Sequence, residues 1–138
     1  MNYLADTNVV SELRNRAKAN AKVIEWESSV DSSSVFLSVI TVLELEMGTQ
    51  SMERRDARQG TELRRWLDTR VLPSFEGRIL PIDLQTALRC AGLHVPHRRS
   101  YRDALIAATA LVHGMTVVTR NVGDFAPTGV RVLNPWEL

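Results

Sequence analysis

Four acids sit where this chain could put charge to chemical use. Asp6 interrupts the apolar run of "YLADTNVVSEL", Glu44 lies in "FLSVITVLELEMG", Asp103 in "SYRDALIAATALVHG" and Asp124 in "VVTRNVGDF". Three of these segments share one order: strand-like apolar residues, a polar turn, then the acid. Carboxylates gathered at one partly buried place repel one another and take up protons unless a cation joins them. With no thiolate or imidazole among them, they suit a hard divalent ion, Mg2+ or Mn2+. His94, His97 and His113 lack the spacing of a zinc site, and Cys90 is the single cysteine. A hard ion held by carboxylates polarises a phosphoryl oxygen and activates water for in-line attack, which makes phosphodiester hydrolysis the reaction class to expect.

Each acid also has a purely structural reading. Thr41-x-x-Glu44 and Ser100-x-x-Asp103 have capping-box spacing, in which the acid reaches back to the cap residue's N–H. Negative charge in a first helical turn is favoured by the helix dipole as well. Asp6 suits a turn or helix cap, and Asp124 follows Gly123 in a loop-like stretch. Their surroundings favour the collective reading. The helix from Asp103 to His113 is apolar nearly all round and should be buried, with Ser100 capping it and Gly114 ending it. Glu44 is flanked by Val42, Leu43, Leu45 and Met47, and Gly48, one turn on, would permit close approach.

The elements that must position these acids follow from hydrophobic period. Strands are expected at Asn2 to Ala5, Val35 to Val39, Arg78 to Ile82, Met115 to Thr119 and Val130 to Leu133. Between them run helical stripes, Val23/Trp26/Val30, Leu63/Trp66/Leu67/Val71 and Leu84/Ala87/Leu88/Ala91, each read as a core face. Strand and helix in alternation predict an α/β fold, a central and mainly parallel five-stranded sheet flanked by helices. Ligands of such sheets bind beyond the carboxyl ends of the strands, which is where the acids fall. Ser51 to Thr61 and Pro96 to Ser100 read as the mobile loops.

At 138 residues, 44% of them hydrophobic, the chain is expected to form one domain over residues 1–138. The lone cysteine and the lack of a leader-like or long apolar segment fit a soluble, cytoplasmic protein away from membranes. A net charge of +1 provides no global basic field for nucleic acid. Lys18 and Lys22 are the only lysines among 17 cationic residues, so arginine dominates. Its planar fork suits phosphate or carboxylate, although high-GC codon usage yields the same bias.

Taken in order, "LADTNVVSEL", "SVITVLELEMG", "LPSFEGRILPID", "RDALIAATALVHGMTVVTRNVGDF" and "NPWEL" resemble the PIN-domain ribonucleases, specifically the VapC-type toxins of bacterial toxin–antitoxin pairs and their FitB-like branch. The resemblance spans nearly the whole chain. It implies a PIN-like fold and an acidic Mg2+ (or Mn2+) site of Asp6, Glu44 and Asp103, with Asp6 and Asp103 as the most direct ligands. Asn121 or Asp124 completes the site in this reading, and Thr7, Asn8 and Thr119 support it. It further implies RNA cleavage that inhibits translation, a homodimer, and a VapB/FitA-like DNA-binding antitoxin that blocks the cleft and supplies the only link to DNA.

For the RNA substrate, "HRRSYRD" sets Arg98, Arg99, Tyr101 and Arg102 just before Asp103, where arginines could hold phosphates and Tyr101 stack on an unpaired base. Arg120 is a further candidate, and a solvated loop is the plainer alternative. A phosphorelay receiver would need a late lysine, and no lysine follows Lys22. A haloacid-dehalogenase-like phosphatase would need an acid where Asn8 stands. A PIN-like scaffold that binds RNA or a regulator without cutting is the remaining alternative.

Overall fold

The computed structural model describes residues 1–138. Strands β1 (Tyr3–Ala5), β2 (Val35–Ser38), β3 (Ile79–Leu80), β4 (Thr116–Val118) and β5 (Val132–Leu133) form one sheet in the order β3-β2-β1-β4-β5. Every pairing is parallel. All five expected strands are present, each shorter by a residue or more. The chain runs outward from β1 to β3 and then returns to β1's other side for β4, which places a topological switch between β1 and β4.

Side chains of the sheet alternate between two cores. Ala5, Val35, Leu37 and Val118 join Val9, Val10, Trp26, Leu67 and Val71 on one face. Leu4 and Val117 join Ile106, Ala107, Ala110 and Phe125 on the other. Period-two alternation between two apolar layers is what a sheet covered on both faces requires.

The helices are α1 (Thr7–Glu12), α2 (Ala21–Ser29), α3 (Val39–Arg55), α4 (Ala57–Trp66), α5 (Leu72–Ser74), α6 (Leu84–Leu93), α7 (Tyr101–His113) and α8 (Val122–Phe125). A wider π-helical turn, Leu67–Val71, joins α4 to α5 and buries Leu67 and Val71. Ser100 caps α7 by accepting from the Asp103 N–H, and Gly114 ends it with φ +66°, as its sequence predicts.

Four expectations need correction. The polar stretch Ser51 to Thr61 is helical: it ends α3 and begins α4, with Asp56 accepting from the Arg58 and Gln59 N–H groups at 3.1 Å each. The glycine within it is a packing residue, because a Cβ at Gly60 would lie 2.4 Å from Glu53 Cα. Helix α3 is capped by Ser38 through the Ile40 N–H, and Thr41 is a buried first-turn residue whose hydroxyl has no partner. Pairing of β2 runs to Ser38, so the earlier hydroxyl takes the cap. The α6 stripe is reversed: Leu84 and Leu88 are 75% and 66% exposed, while Thr86 and Cys90 face inward. Cys90 packs on the small residues Ala104 and Ala108 of α7, so the two helices meet there through short side chains and Leu84 and Leu88 stay on the outer face. Gly48 has no neighbour within 4 Å of a built Cβ, so no close approach depends on it.

Candidate active site

Strand register assembles the first part of the site. Pairing of Ala5 with Val118 sets the next residues, Asp6 and Thr119, side by side at the carboxyl edge, and the Asp6 N–H donates to Val118 O at 2.9 Å. Asp6 is completely buried. Its Oδ1 accepts from the Thr7 N–H at 2.8 Å and so caps α1. Its Oδ2 accepts from Thr119 Oγ1 at 2.7 Å and from Asn8 Nδ2 at 3.4 Å. Asn8 also donates to Thr119 Oγ1 at 3.1 Å, and its Oδ1 accepts from the Arg120 N–H at 3.2 Å. The carboxylate that caps α1 is therefore also the candidate site acid, oriented by Thr7, Asn8 and Thr119.

Two more elements bring acids to this edge. Glu44 stands in the second turn of α3, and its Oε1 accepts from Thr7 Oγ1 at 2.6 Å. Asp103 is in the first turn of α7. One side chain joins all three: Arg102 Nη2 donates to Asp6 Oδ1, Nε to Glu44 Oε2 at 2.6 Å and Nη1 to Asp103 Oδ1 at 2.8 Å. Burial alone would lower the guanidinium's pKa, but the bonds to Glu44, Asp6 and Asp103 outweigh it and raise the pKa above the usual arginine range. The Asp103 carboxylate thus meets Arg102, and no reciprocal bond to the Ser100 N–H completes the capping box.

The other predicted residues divide. Asp124 and Asn121 are exposed at α8, and neither side chain bonds to the cluster; Asn121 reaches it through its N–H, which donates to Thr119 Oγ1 at 3.0 Å. Of the residues predicted to meet RNA, Arg98 and Tyr101 are exposed and bond each other at 3.3 Å. Arg99 instead ties its loop to Leu93 O at 2.8 Å and Pro127 O at 3.3 Å, and Arg102 is held in the cleft. Arg120 is exposed with its guanidinium 5.4 Å from the centre of the Trp136 ring. The part Arg102 plays among the acids escaped sequence reasoning; its place beside Asp103 was the only signal.

Whether the cleft suits a divalent ion rests on its donors. Asp6, Glu44 and Asp103 present oxygen alone, they already converge on a cation, and no imidazole or thiolate bonds to them, which is the donor chemistry of Mg2+ or Mn2+. As arranged around the guanidinium they do not close into an ion cage, the planar fork being wider than an ion.

Acids at the carboxyl edge of a parallel sheet, beside its topological switch, define the class of α/β proteins that act on ligands through an acidic cleft. The PIN domain model matches residues 3–127. VapC ribonuclease Y4jK of Sinorhizobium fredii is 37% identical, with 96% of each chain covered. Toxin FitB of Neisseria gonorrhoeae is 38% identical over 97% of this chain and 98% of its own. The crystal structure of FitAcB from Neisseria gonorrhoeae superposes with a TM-score of 0.90 at 37% identity, covering 99% of both chains. FitAB bound to an IR36 DNA fragment gives 0.89 at 36% identity, covering 99% of this chain and 96% of that one. The chain belongs to the PIN-domain family, in the VapC-type group that includes FitB.

Proposed function

We propose that this protein is the metal-dependent endoribonuclease toxin of a VapBC-type toxin–antitoxin pair, acting on cytoplasmic RNA and thereby inhibiting translation. The observation that carries the reading is the convergence of Asp6, Glu44 and Asp103, from three separate elements, at the carboxyl edge of a PIN fold. Asp6, Asp103 and Glu44 would hold Mg2+ or Mn2+. When bound, such an ion supplies positive charge beside the scissile phosphate and lowers the pKa of water.

The chain's own residues do the rest. Thr119, Asn8 and the Thr7 N–H fix Asp6 in one orientation, and the Thr7 hydroxyl holds Glu44 at the cleft, so both acids are oriented toward it before substrate arrives. Glu44, partly exposed at the rim, would be the group that accepts a proton from attacking water. Exposed Arg98 and Arg120 would hold RNA phosphates, with Tyr101 stacking on an unpaired base. Asp124 would join the acidic site from the α8 side.

A second feature favours an antitoxin partner. An apolar groove of about 550 Å³ includes Val10, Leu13, Trp26 and Trp66 in its lining, with Arg14, Arg16, Arg70 and Arg78 among its polar residues. It suits an amphipathic antitoxin segment with acidic side chains, and any link to DNA would come through that partner. The exposed leucines of α6 are available for a homodimer contact.

The deciding experiment incubates antitoxin-free protein with total RNA and defined tRNAs, with and without Mg2+ or Mn2+, beside Asp103→Asn. Discrete cuts that require the ion and vanish in the variant are expected. A folded wild type that binds RNA yet leaves it uncut would mean a non-catalytic scaffold.

A further inference from the structure

The nuclease reading leaves Arg102 without a task, although this is the residue that holds the three acids together. Three nitrogens of one guanidinium each meet a different carboxylate, and Nη2 also lies 3.4 Å from Thr7 Oγ1. No hydrogen bond ties its side chain to any group outside the cleft. Its side chain is 29% exposed, so a long flexible stem has a way out to solvent. A divalent ion held by Asp6, Glu44 and Asp103 would draw on oxygens that Arg102 already bonds, and two cations sharing those oxygens would repel each other.

We propose that Arg102 is an internal counter-ion: it occupies the acidic cleft of the ion-free protein and swings out before a divalent ion enters, so arginine and ion exclude one another. The inference rests on the nuclease reading only in taking the cleft as an ion site. Asp6 is completely buried, and without a cation its charge would be uncompensated. Arg102 supplies that cation and keeps the carboxylates at bonding distance of one point. Apparent ion affinity is then reduced by the fraction of molecules whose arginine has withdrawn. Arg102 is a positioning residue with two opposed effects: its removal strengthens ion binding and weakens the ion-free fold. A merely structural arginine would produce the second effect alone.

The test uses the full antitoxin-free chain and Mn2+ as the probe, with binding followed by calorimetry and electron paramagnetic resonance. Arg102→Met is expected to bind Mn2+ about tenfold more tightly than wild type. It should unfold at a lower temperature in chelator, with the deficit shrinking in excess Mn2+. Arg102→Lys should fall between the two, and Arg89→Met, on the exposed side of α6, should match wild type. Equal or weaker Mn2+ binding by a folded Arg102→Met overturns the proposal. Should that variant fail to fold, the wild type decides: the Arg102 Nε–H resonance must shift when Mg2+ is added, and a signal unchanged at saturation overturns it. Absence of Mn2+ binding in every form overturns both this inference and the ion assignment. Tighter binding by Arg102→Met in a protein that leaves RNA uncut would strike the nuclease reading alone and support this one.

Discussion

Arg64 and Arg102 each bond three carboxylates, Arg64 within the helical segment from α3 to the π-helical turn and Arg102 at the carboxyl edge of the sheet. Arg64 reaches Glu46 at 2.7 Å, Glu53 at 3.0 Å and Asp68 at 3.5 Å, and those side chains are 34%, 40% and 49% exposed. The acids of Arg102 are 0%, 31% and 17% exposed for Asp6, Glu44 and Asp103. The ion-pair inventory is the same and the consequence differs. Water can solvate each acid of the first cluster if the arginine leaves, so that cluster is a brace between α3 and α4. Asp6 has no such recourse, and its charge is balanced inside the cleft by Arg102. Burial, more than the number of charges, separates a surface brace from a site.

The largest effects should follow from Asp6. Asp6→Asn is expected to lower RNA cleavage by about a hundredfold or more, as loss of a preorganised charge in a cleft does. Asp6→Ala in ion-free buffer should lose about 3 kcal/mol in urea unfolding, since Arg102 is left partly unpaired in the cleft. Glu53→Ala should leave cleavage intact and stability little changed; a loss matching that of Asp6→Ala would erase the contrast between the clusters.

Gly60→Ala attacks the brace through the backbone. A Cβ 2.4 Å from Glu53 Cα forces α4 away from α3, at about 1–3 kcal/mol in thermal unfolding. RNA cleavage by the folded fraction should persist, because none of the site's hydrogen bonds crosses that contact. Thr119→Val sharpens the other side. It removes the hydroxyl that donates to Asp6 Oδ2; stability should fall by about 1 kcal/mol and cleavage about tenfold, as when a supporting hydrogen bond is lost.

The smallest effect is expected in acid. Hydrogen bonds from Arg64, and then from Gln50, hold the Glu46 carboxyl down to about 2 from an ordinary 4.5. The folded state therefore holds this proton less readily than the unfolded chain. Its stabilisation is complete above the ordinary value and is lost as pH falls toward 2. Glu46→Gln should flatten the stability profile across that window. An unchanged profile would show that the brace adds nothing in solution.

Much of this was legible in the chain. Short apolar runs set between helical patterns placed all five strands, and the acid after β1 marked the carboxyl edge. Glu44 was assigned to the site although its helix is capped by Ser38 rather than Thr41. Local chemistry cannot choose between two hydroxyls three residues apart; the length of the β2 pairing made the choice. Hydrophobic period identified α6 as a helix but selected the wrong inner face, because the small residues of α7 decide which side chains fit against it. The polar residues from Ser51 to Thr61 resembled a loop, yet Asp56 caps one helix as another ends there, and Gly60 allows the two to close.

By itself, the sequence determined where strands and helices alternate, which acids follow the strands and that their donors are oxygen alone, because these depend on neighbouring residues and on side-chain chemistry. Only the tertiary structure decided that Asp6, Glu44 and Asp103 share one guanidinium, that this guanidinium belongs to Arg102, and that Asp124 stays apart from their hydrogen bonds. Contacts between residues 37 and 96 positions apart depend on sheet register and helix packing, and no local pattern encodes them.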